Sequence, residues 1–325
     1  MNAAMNRPFL LAPAAKDYLW GGSRLNDDFN LGINISPFAE AWVCSCHPDG
    51  ESLADGKKLS EVLKEHPEYL GAHAASVADG EFPILMKLID AKRDLSVQVH
   101  PDDAYAAREG QLGKTEMWYV LDARPGAELV YGFNRDVTAK QVRAAIEDGS
   151  IEKYLNHAKV HPNDLFYIEA GVVHAIGAGC LIAEIQESSN LTYRLYDYRR
   201  TDKNGRQRPL HIGKALDVAN LQSSATPRQP MRVLKYRNGT ASELLCRCKY
   251  FQVERVLLNT EIHRNLADFQ TGENSFHCLL CMDGCGSISG DDVHLNFFKG
   301  DCIFVPANSV PLKLHGKAQI LNVSC

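Results

Sequence analysis

Short strand-like runs separated by turn residues constrain this chain more than any other feature. Segments rich in Val, Ile, Leu, Phe and Tyr recur at 83–89, 95–99, 117–121, 129–132, 165–168, 181–186 and 192–196. A second series follows at 251–258, 277–282, 286–289, 301–305 and 318–323. Gly, Pro and Asp punctuate both series. Many short strands of this kind predict a mainly β fold, a sandwich or barrel. Helical patterning is confined to inserts at 59–70, 105–109, 139–156 and 212–221. Thr138 and Gln141 carry the spacing of a capping box that would open the third of these. Pro227 and Pro230 make 223–230 the best linker candidate.

The two series are related. The stretch from Asn163 through Asp164 and Ala170 to His174 aligns with that from Gly300 through Asp301 and Ala307 to Pro311. Both read as turn, strand, turn, which predicts two similar β units. We expect one at 1–235, carrying the helical insertions, and one at 236–325. Only the first ends its repeat in a residue able to bind a metal. In the second, His277 falls roughly where Glu116 would lie and Pro311 replaces His174, so a metal-free packing role is expected there.

Composition narrows the function. With 325 residues the chain can bury an ample core, and a net charge of −5 gives no uniformly basic surface for nucleic acid. The apolar run 9–12 is too short for a signal segment, and no stretch approaches the length of a membrane span. A cytoplasmic protein is expected, without a nucleic-acid or membrane partner. Most of the ten cysteines, among them Cys44, Cys46, Cys246, Cys248, Cys278, Cys281 and Cys302, sit in apolar strand-like runs. They read as small buried hydrophobes in a reducing compartment. A zinc site at Cys278, Cys281 and Cys285 is the weaker alternative, because its CxxC lacks a second pair.

One constellation carries chemistry. Gln98 and His100 are two apart in a strand, so they share a face while Val97 and Val99 share the other. Such a face is either solvated or lines a polar cavity. Glu116 begins the next strongly apolar strand and His174 ends a strand through the Ala170-Gly171 turn, which would set the four on adjacent strands of one barrel. Two His, one Glu and a neutral oxygen donor suit a catalytic zinc or similar divalent ion with positions left for substrate. Lys114 stands two residues from Glu116, and Glu184 and Arg194 flank a polar stretch at 186–190. That stretch reads either as a solvated rim or as a place where Lys and Arg meet a phosphate or developing oxyanion.

These residues lie in strings that resemble the type I mannose-6-phosphate isomerases, in their short bacterial, double-cupin form. The strings are Trp20 to Gly22, Phe82 to Lys92, Leu95-Ser-Val-Gln-Val-His-Pro-Asp-Asp103 and Gly113-Lys-Thr-Glu-Met-Trp-Tyr119. His174 to Gly177, Ala183 to Ser189 and Thr192-Tyr-Arg-Leu-Tyr-Asp-Tyr198 complete them. The resemblance implies two cupin-type jelly-roll barrels with helical insertions. It implies one zinc ion per chain, other divalent metals being alternatives, on Gln98, His100, Glu116 and His174. It also implies roles for Lys114, Glu184 and Arg194 in catalysis, with Lys114 and Arg194 at the phosphate. The chain departs from the family's usual pattern at Asn163, Glu169 and Val43, none of them an implied ligand.

The implied reaction interconverts mannose 6-phosphate and fructose 6-phosphate by proton transfer between C1 and C2 through an enediol. The negative charge on the sugar oxygens needs a Lewis acid and fixed positive charge. Glu184 or Lys114 would be the base. A monomer or weak homodimer is expected. The rivals are an iron-dependent cupin oxygenase, whose turnover would need O₂, a non-enzymatic sugar-phosphate-binding or metal-binding cupin, and an isomerase of another hexose phosphate.

Overall fold

The computed structural model describes residues 6–201, 204–225, 227–262 and 265–325. Residue 226 of the expected linker and residues 1–5 lie outside them. The chain is mainly β, as the strand patterning predicts, and its strands form three large antiparallel sheets.

Period two explains how they stack. In Ile84–Asp90, Met86 and Leu88 face one core while Lys87 and Ile89 face another. In Glu116–Ala123, Met117 and Tyr119 oppose Glu116, Trp118 and Val120 in the same way. A strand buried on both faces needs a partner layer on each side. The six-stranded sheet that contains them runs Leu165–Ile168, Glu116–Ala123, Cys180–Glu187, Ile84–Asp90, Glu40–Cys44, Ala14–Lys16. One of its faces meets a five-stranded sheet ordered Leu155–Lys159, Glu128–Phe133, His174–Ile176, Val97–Val99, Tyr193–Tyr196. The five-stranded sheet turns Val97, Val99, Val130 and Leu195 outward onto Val142, Ile146 and Ala215 of two covering helices. Both facing sheets keep free edges, so this jelly-roll-like unit is an open sandwich rather than the closed barrel expected.

The other face of the six-stranded sheet packs on the C-terminal sheet. Met86, Leu88, Met117 and Ile185 share a core with Cys278, Leu280, Phe304, Leu321 and Val323. The long strands His277–Gly290 and Leu312–Ser324 dominate that sheet, and their register shifts between Cys281 and Asp283. A β-bulge of this kind bends a strand. The runs at 277–282 and 286–289 are therefore one bent strand, which encloses a second core of Leu279, Cys281, Ile288, Phe297 and Ile320. Gly284 sits at the bend with φ +79, where a Cβ would lie 2.1 Å from the Lys317 carbonyl oxygen, so no larger residue fits. The N-terminal strand Phe9–Leu11 joins this sheet on Cys302–Val305.

The internal repeat is visible bond by bond. Asn163 (φ 73) and Gly300 (φ 99) both take left-handed turns. The Asn163 amide donates to Val120 O and the Gly300 amide to Cys281 O, each at 2.8 Å. In both turns the following aspartate accepts at 2.8 Å from the amide three residues back, Asp164 from His161 and Asp301 from Phe298. Asn is among the few non-glycine residues that tolerate this conformation, which accounts for the departure at Asn163. The other two departures lie away from the cleft: Glu169 is exposed and Val43 is buried in the core between sheets.

Local signals shortened the expected helices. The insert at 139–156 is a helix only over Ala139–Asp148; its capping box is present, but left-handed Gly149 ends it and Leu155–Lys159 is an edge strand. Pro67 similarly stops the helix that starts at Leu59, which spans Leu59–Glu65. The weaker alternative, a cysteine zinc site, is not assembled: Cys278 and Cys281 belong to different cores and Cys285 is exposed.

Phe304 is fully buried and its ring stacks on Phe9 and Phe276, each with centroids 5.2 Å away. Phe304→Ala is expected to destabilise the chain by about 3–5 kcal/mol, read as a lowered denaturation midpoint at unchanged slope.

Candidate active site

A cleft of about 370 Å³ opens between the two facing sheets. Its walls are built from the side chains that alternation turns inward. Gln98 and Arg194 come from the five-stranded sheet and Lys87 and Glu184 from the six-stranded one, with His174 and Glu116 of the same two sheets buried beside them. His174 pairs across strands with Gln98, but it opens its strand rather than ending one. Glu116 reaches the same space from the opposite sheet, not from an adjacent strand as the sequence suggested.

His100, Glu116 and His174 converge, with ligand atoms all within 4.8 Å of one another, and each is 1% exposed or less. Their tautomers follow from their neighbours. His100 Nδ1 lies 2.8 Å from the Leu191 carbonyl oxygen and His174 Nδ1 lies 2.8 Å from that of Val172. A carbonyl only accepts, so each Nδ1 carries the proton and each Nε2 offers a bare lone pair. The two Nε2 atoms face each other at 3.1 Å. Burial first, and the Lys114 charge next, pull His100 well below the usual imidazole range. Burial lowers His174 to about 4. Both rings are therefore neutral and able to coordinate. The two carboxylate oxygens of Glu116 are buried without a hydrogen-bond partner, 3.4 Å and 3.6 Å from the His174 and His100 Nε2 atoms. Two bare imidazole nitrogens and an unsatisfied carboxylate aimed at one point are a donor set suited to a divalent cation. Among the described residues this is the one cluster of three such groups.

Lys114 lies beside it. Its Nζ is 2.9 Å from Glu116 Oε2 and 3.2 Å from His100 Nε2. Gln98 is half-buried, with its amide nitrogen 3.5 Å from His174 Nε2 and its oxygen accepting from Ser96 Oγ at 3.3 Å. Arg194 donates through Nε to Ser96 Oγ at 3.1 Å and through Nη1 to Pro209 O at 3.0 Å. Of the seven residues singled out from the sequence, Gln98, Lys114, Glu184 and Arg194 line the cleft, and His100, Glu116 and His174 are buried against Gln98 and Lys114 beside it.

The structure adds residues that sequence reading missed. Lys87, 4% exposed, lies 3.0 Å from Glu184 Oε1 and 3.9 Å from Glu40 Oε2. Burial alone would lower the Lys87 ammonium, but Glu184 and Glu40 outweigh it and raise it above its ordinary range. Burial would likewise raise Glu184, yet Lys87 and Lys114 hold its carboxyl below the usual carboxylate range, helped by Trp118 Nε1 donating to Oε2 at 2.8 Å. Glu184 is ionised. Glu116 moves the other way, raised by burial and then by Glu184. A lysine inside the otherwise apolar run 84–89 was the signal available for Lys87, since an unpaired charge does not persist there.

Comparisons with known proteins follow this geometry. A family model described as phosphomannose isomerase type I, catalytic domain, matches residues 9–130. A second, described as mannose-6-phosphate isomerase, cupin domain, matches residues 241–325. A mannose-6-phosphate isomerase of Bacillus subtilis is 35% identical over 322 residues, covering 97% of this chain and 98% of that protein. A crystal structure of the mannose 6-phosphate isomerase from Bacillus subtilis aligns with TM-score 0.87 at 33% identity, over 98% of this chain and 99% of that one. A mannose 6-phosphate isomerase solved with zinc and yttrium shares the fold at TM-score 0.74 and 16% identity, over 99% of each chain.

Replacing Lys87 by Met leaves two buried carboxylates without their cation. Lys87→Met is expected to cost about 3–5 kcal/mol in denaturant unfolding. Adding Glu184→Gln should recover part of that loss, which a double-mutant cycle checks.

Proposed function

This chain belongs to the type I mannose-6-phosphate isomerases, enzymes that interconvert mannose 6-phosphate and fructose 6-phosphate, and we propose that its cleft performs that reaction with the residues described above. The observation that carries the assignment of the site is the convergence of two bare imidazole nitrogens and the unsatisfied Glu116 carboxylate. We assign the metal to Gln98, His100, Glu116 and His174, with Gln98 binding through its amide oxygen. Zinc, one ion per chain, is the proposed metal: His and Glu donors suit it, and a relative of the same fold was solved with it. When bound, the ion supplies Lewis acidity toward the sugar oxygens that become negative during isomerisation.

The remaining chemistry is the chain's own. Glu184 is buried, ionised and lines the cleft, so it is the proposed base that takes the C2 proton and returns it at C1. Lys87 keeps that carboxylate charged and oriented. Lys114 and Arg194 add fixed positive charge beside the developing enediolate and toward the phosphate. Phosphate binding, remote from the reacting carbons, holds them in place for the transfer. We also propose two cupin units, 1–235 and 236–325, the second carrying no metal. In support, His277 there is engaged with Asn322 Oδ1 at 2.7 Å. No helix among the described residues is long and apolar enough to cross a membrane. A cytoplasmic monomer or weak homodimer acting on a small sugar phosphate completes the reading.

The test is fructose 6-phosphate formation from mannose 6-phosphate, with glucose 6-phosphate as control. Chelation should abolish it and zinc should restore it. Arg194→Ala should lower kcat/KM by about 10²- to 10³-fold, the size of losing one transition-state donor. No turnover with zinc present, or equal turnover of glucose 6-phosphate, would overturn the assignment.

A further inference from the structure

Charge is unevenly balanced along the cleft. At its inner end Lys87 pairs with Glu40 and Glu184, and Lys114 with Glu116, and a divalent ion on the His100, Glu116 and His174 cluster would offset the remaining negative charge. Its mouth carries positive charge that is not offset. Arg194 and Arg208 line it, and Arg200 stands with them around a single carboxylate, Asp197. Three guanidinium groups against one carboxylate leave an excess of two positive charges.

This mouth is built. Asp197 is 5% exposed and takes a bidentate pair from Arg208, Nε to Oδ2 at 2.8 Å and Nη2 to Oδ1 at 2.6 Å. Arg200 is bound to Asp197 and to the Asp94 carbonyl oxygen. A bridge between Thr201 and Gln207 closes the loop that delivers Arg208. Beyond it, the His211 amide donates to Arg194 O at 2.8 Å and the Arg194 amide donates to His211 Nδ1 at 3.1 Å. The segment with Arg208 and Pro209 is thereby tied to the strand that carries Arg194. Arg194 uses Nε and Nη1 on Ser96 and Pro209, and Arg208 uses Nε and Nη2 on Asp197. Each keeps its remaining terminal nitrogen outside these bonds. Burial, and then the neighbouring Arg208 charge, lower Arg194. Two guanidinium groups that line one cleft and repel each other are stabilised by an anion between them.

We propose that Arg208 binds the phosphate of the sugar phosphate together with Arg194, and that Asp197 is the positioning residue that holds the Arg208 guanidinium at the cleft mouth. The proposal deepens the isomerase reading of this cleft and rests on it. It orients the substrate with its dianion at the cationic mouth and its reacting carbons toward the His100, Glu116 and His174 cluster at the inner end. A purely structural Arg208 would instead serve only to tie down the loop after Asp197.

The experiment measures kcat and KM for mannose 6-phosphate, and competitive inhibition by inorganic phosphate, in the zinc-loaded wild type, Arg208→Gln, Arg208→Lys and Asp197→Asn. Losing a charge-assisted bond to phosphate should raise KM and the phosphate inhibition constant together by about ten- to a hundredfold, with kcat within about threefold. Arg208→Lys should recover part of the loss, and Asp197→Asn should repeat the KM rise with Arg208 still present. The proposal is overturned if Arg208→Gln leaves KM and phosphate inhibition unchanged, or lowers only the thermal midpoint. Should the wild type turn over no mannose 6-phosphate, the isomerase reading fails by itself. Calorimetric titration with inorganic phosphate then decides the subsite separately. Phosphate binding by the wild type that Arg208→Gln weakens tenfold upholds it, and equal or no binding by the two proteins refutes it.

Discussion

Charge buried between two facing sheets is the constraint on which the rest of this molecule depends. Glu40, Lys87, Lys114, Glu116 and Glu184 are each at most 7% exposed, in a place where an unpaired charge costs several kcal/mol. The fold meets that cost by pairing. Lys87 serves Glu184 and Glu40, and indole nitrogens of Trp118 and Trp42 donate to the same two carboxylates. Glu116 is paired with Lys114, yet both its oxygens lack a hydrogen bond, as does Glu184 Oε1. The Glu116 carboxylate faces the two bare imidazole nitrogens, a donor set that suits a divalent cation.

The surrounding architecture makes such buried charge sustainable. The six-stranded sheet is covered on one side by the C-terminal sheet and on the other by the five-stranded sheet, which two helices cover in turn. Side chains on both walls of the cleft are held by packed layers, so the donor atoms converge before any ligand arrives. The C-terminal sheet contributes by packing. The repeat it shares with the first unit keeps the turn at Gly300 while Pro311 stands where the first unit has His174. One half carries the cleft and the other shields the back of its wall.

Much of this was legible in the sequence because it depends on local spacing. Alternation put Gln98 and His100 on one face and Val97 and Val99 on the other, as observed. The aligned turns at Asn163 and Gly300 were visible as a repeat, and the structure gives them the same hydrogen bonds. What failed depended on backbone conformation or on distant contacts. The helix expected over 139–156 ends at left-handed Gly149, and the bend at Cys281–Asp283 merges two expected strands into one. The opposition of Glu116 to His174 across two sheets is a long-range fact that strand spacing does not encode. Lys87 went unremarked because its partners, Glu40 and Glu184, lie 47 residues before it and 97 after it.

The central claim is that one divalent ion belongs between His100, Glu116 and His174. Diffraction from crystals of the zinc-loaded protein, recorded on either side of the zinc absorption edge, addresses it most directly. The account predicts a single anomalous peak about 2.0–2.2 Å from both imidazole Nε2 atoms and a Glu116 oxygen, with the Gln98 amide oxygen turned toward it. A peak elsewhere, or none at this cluster in zinc-loaded crystals, would contradict it.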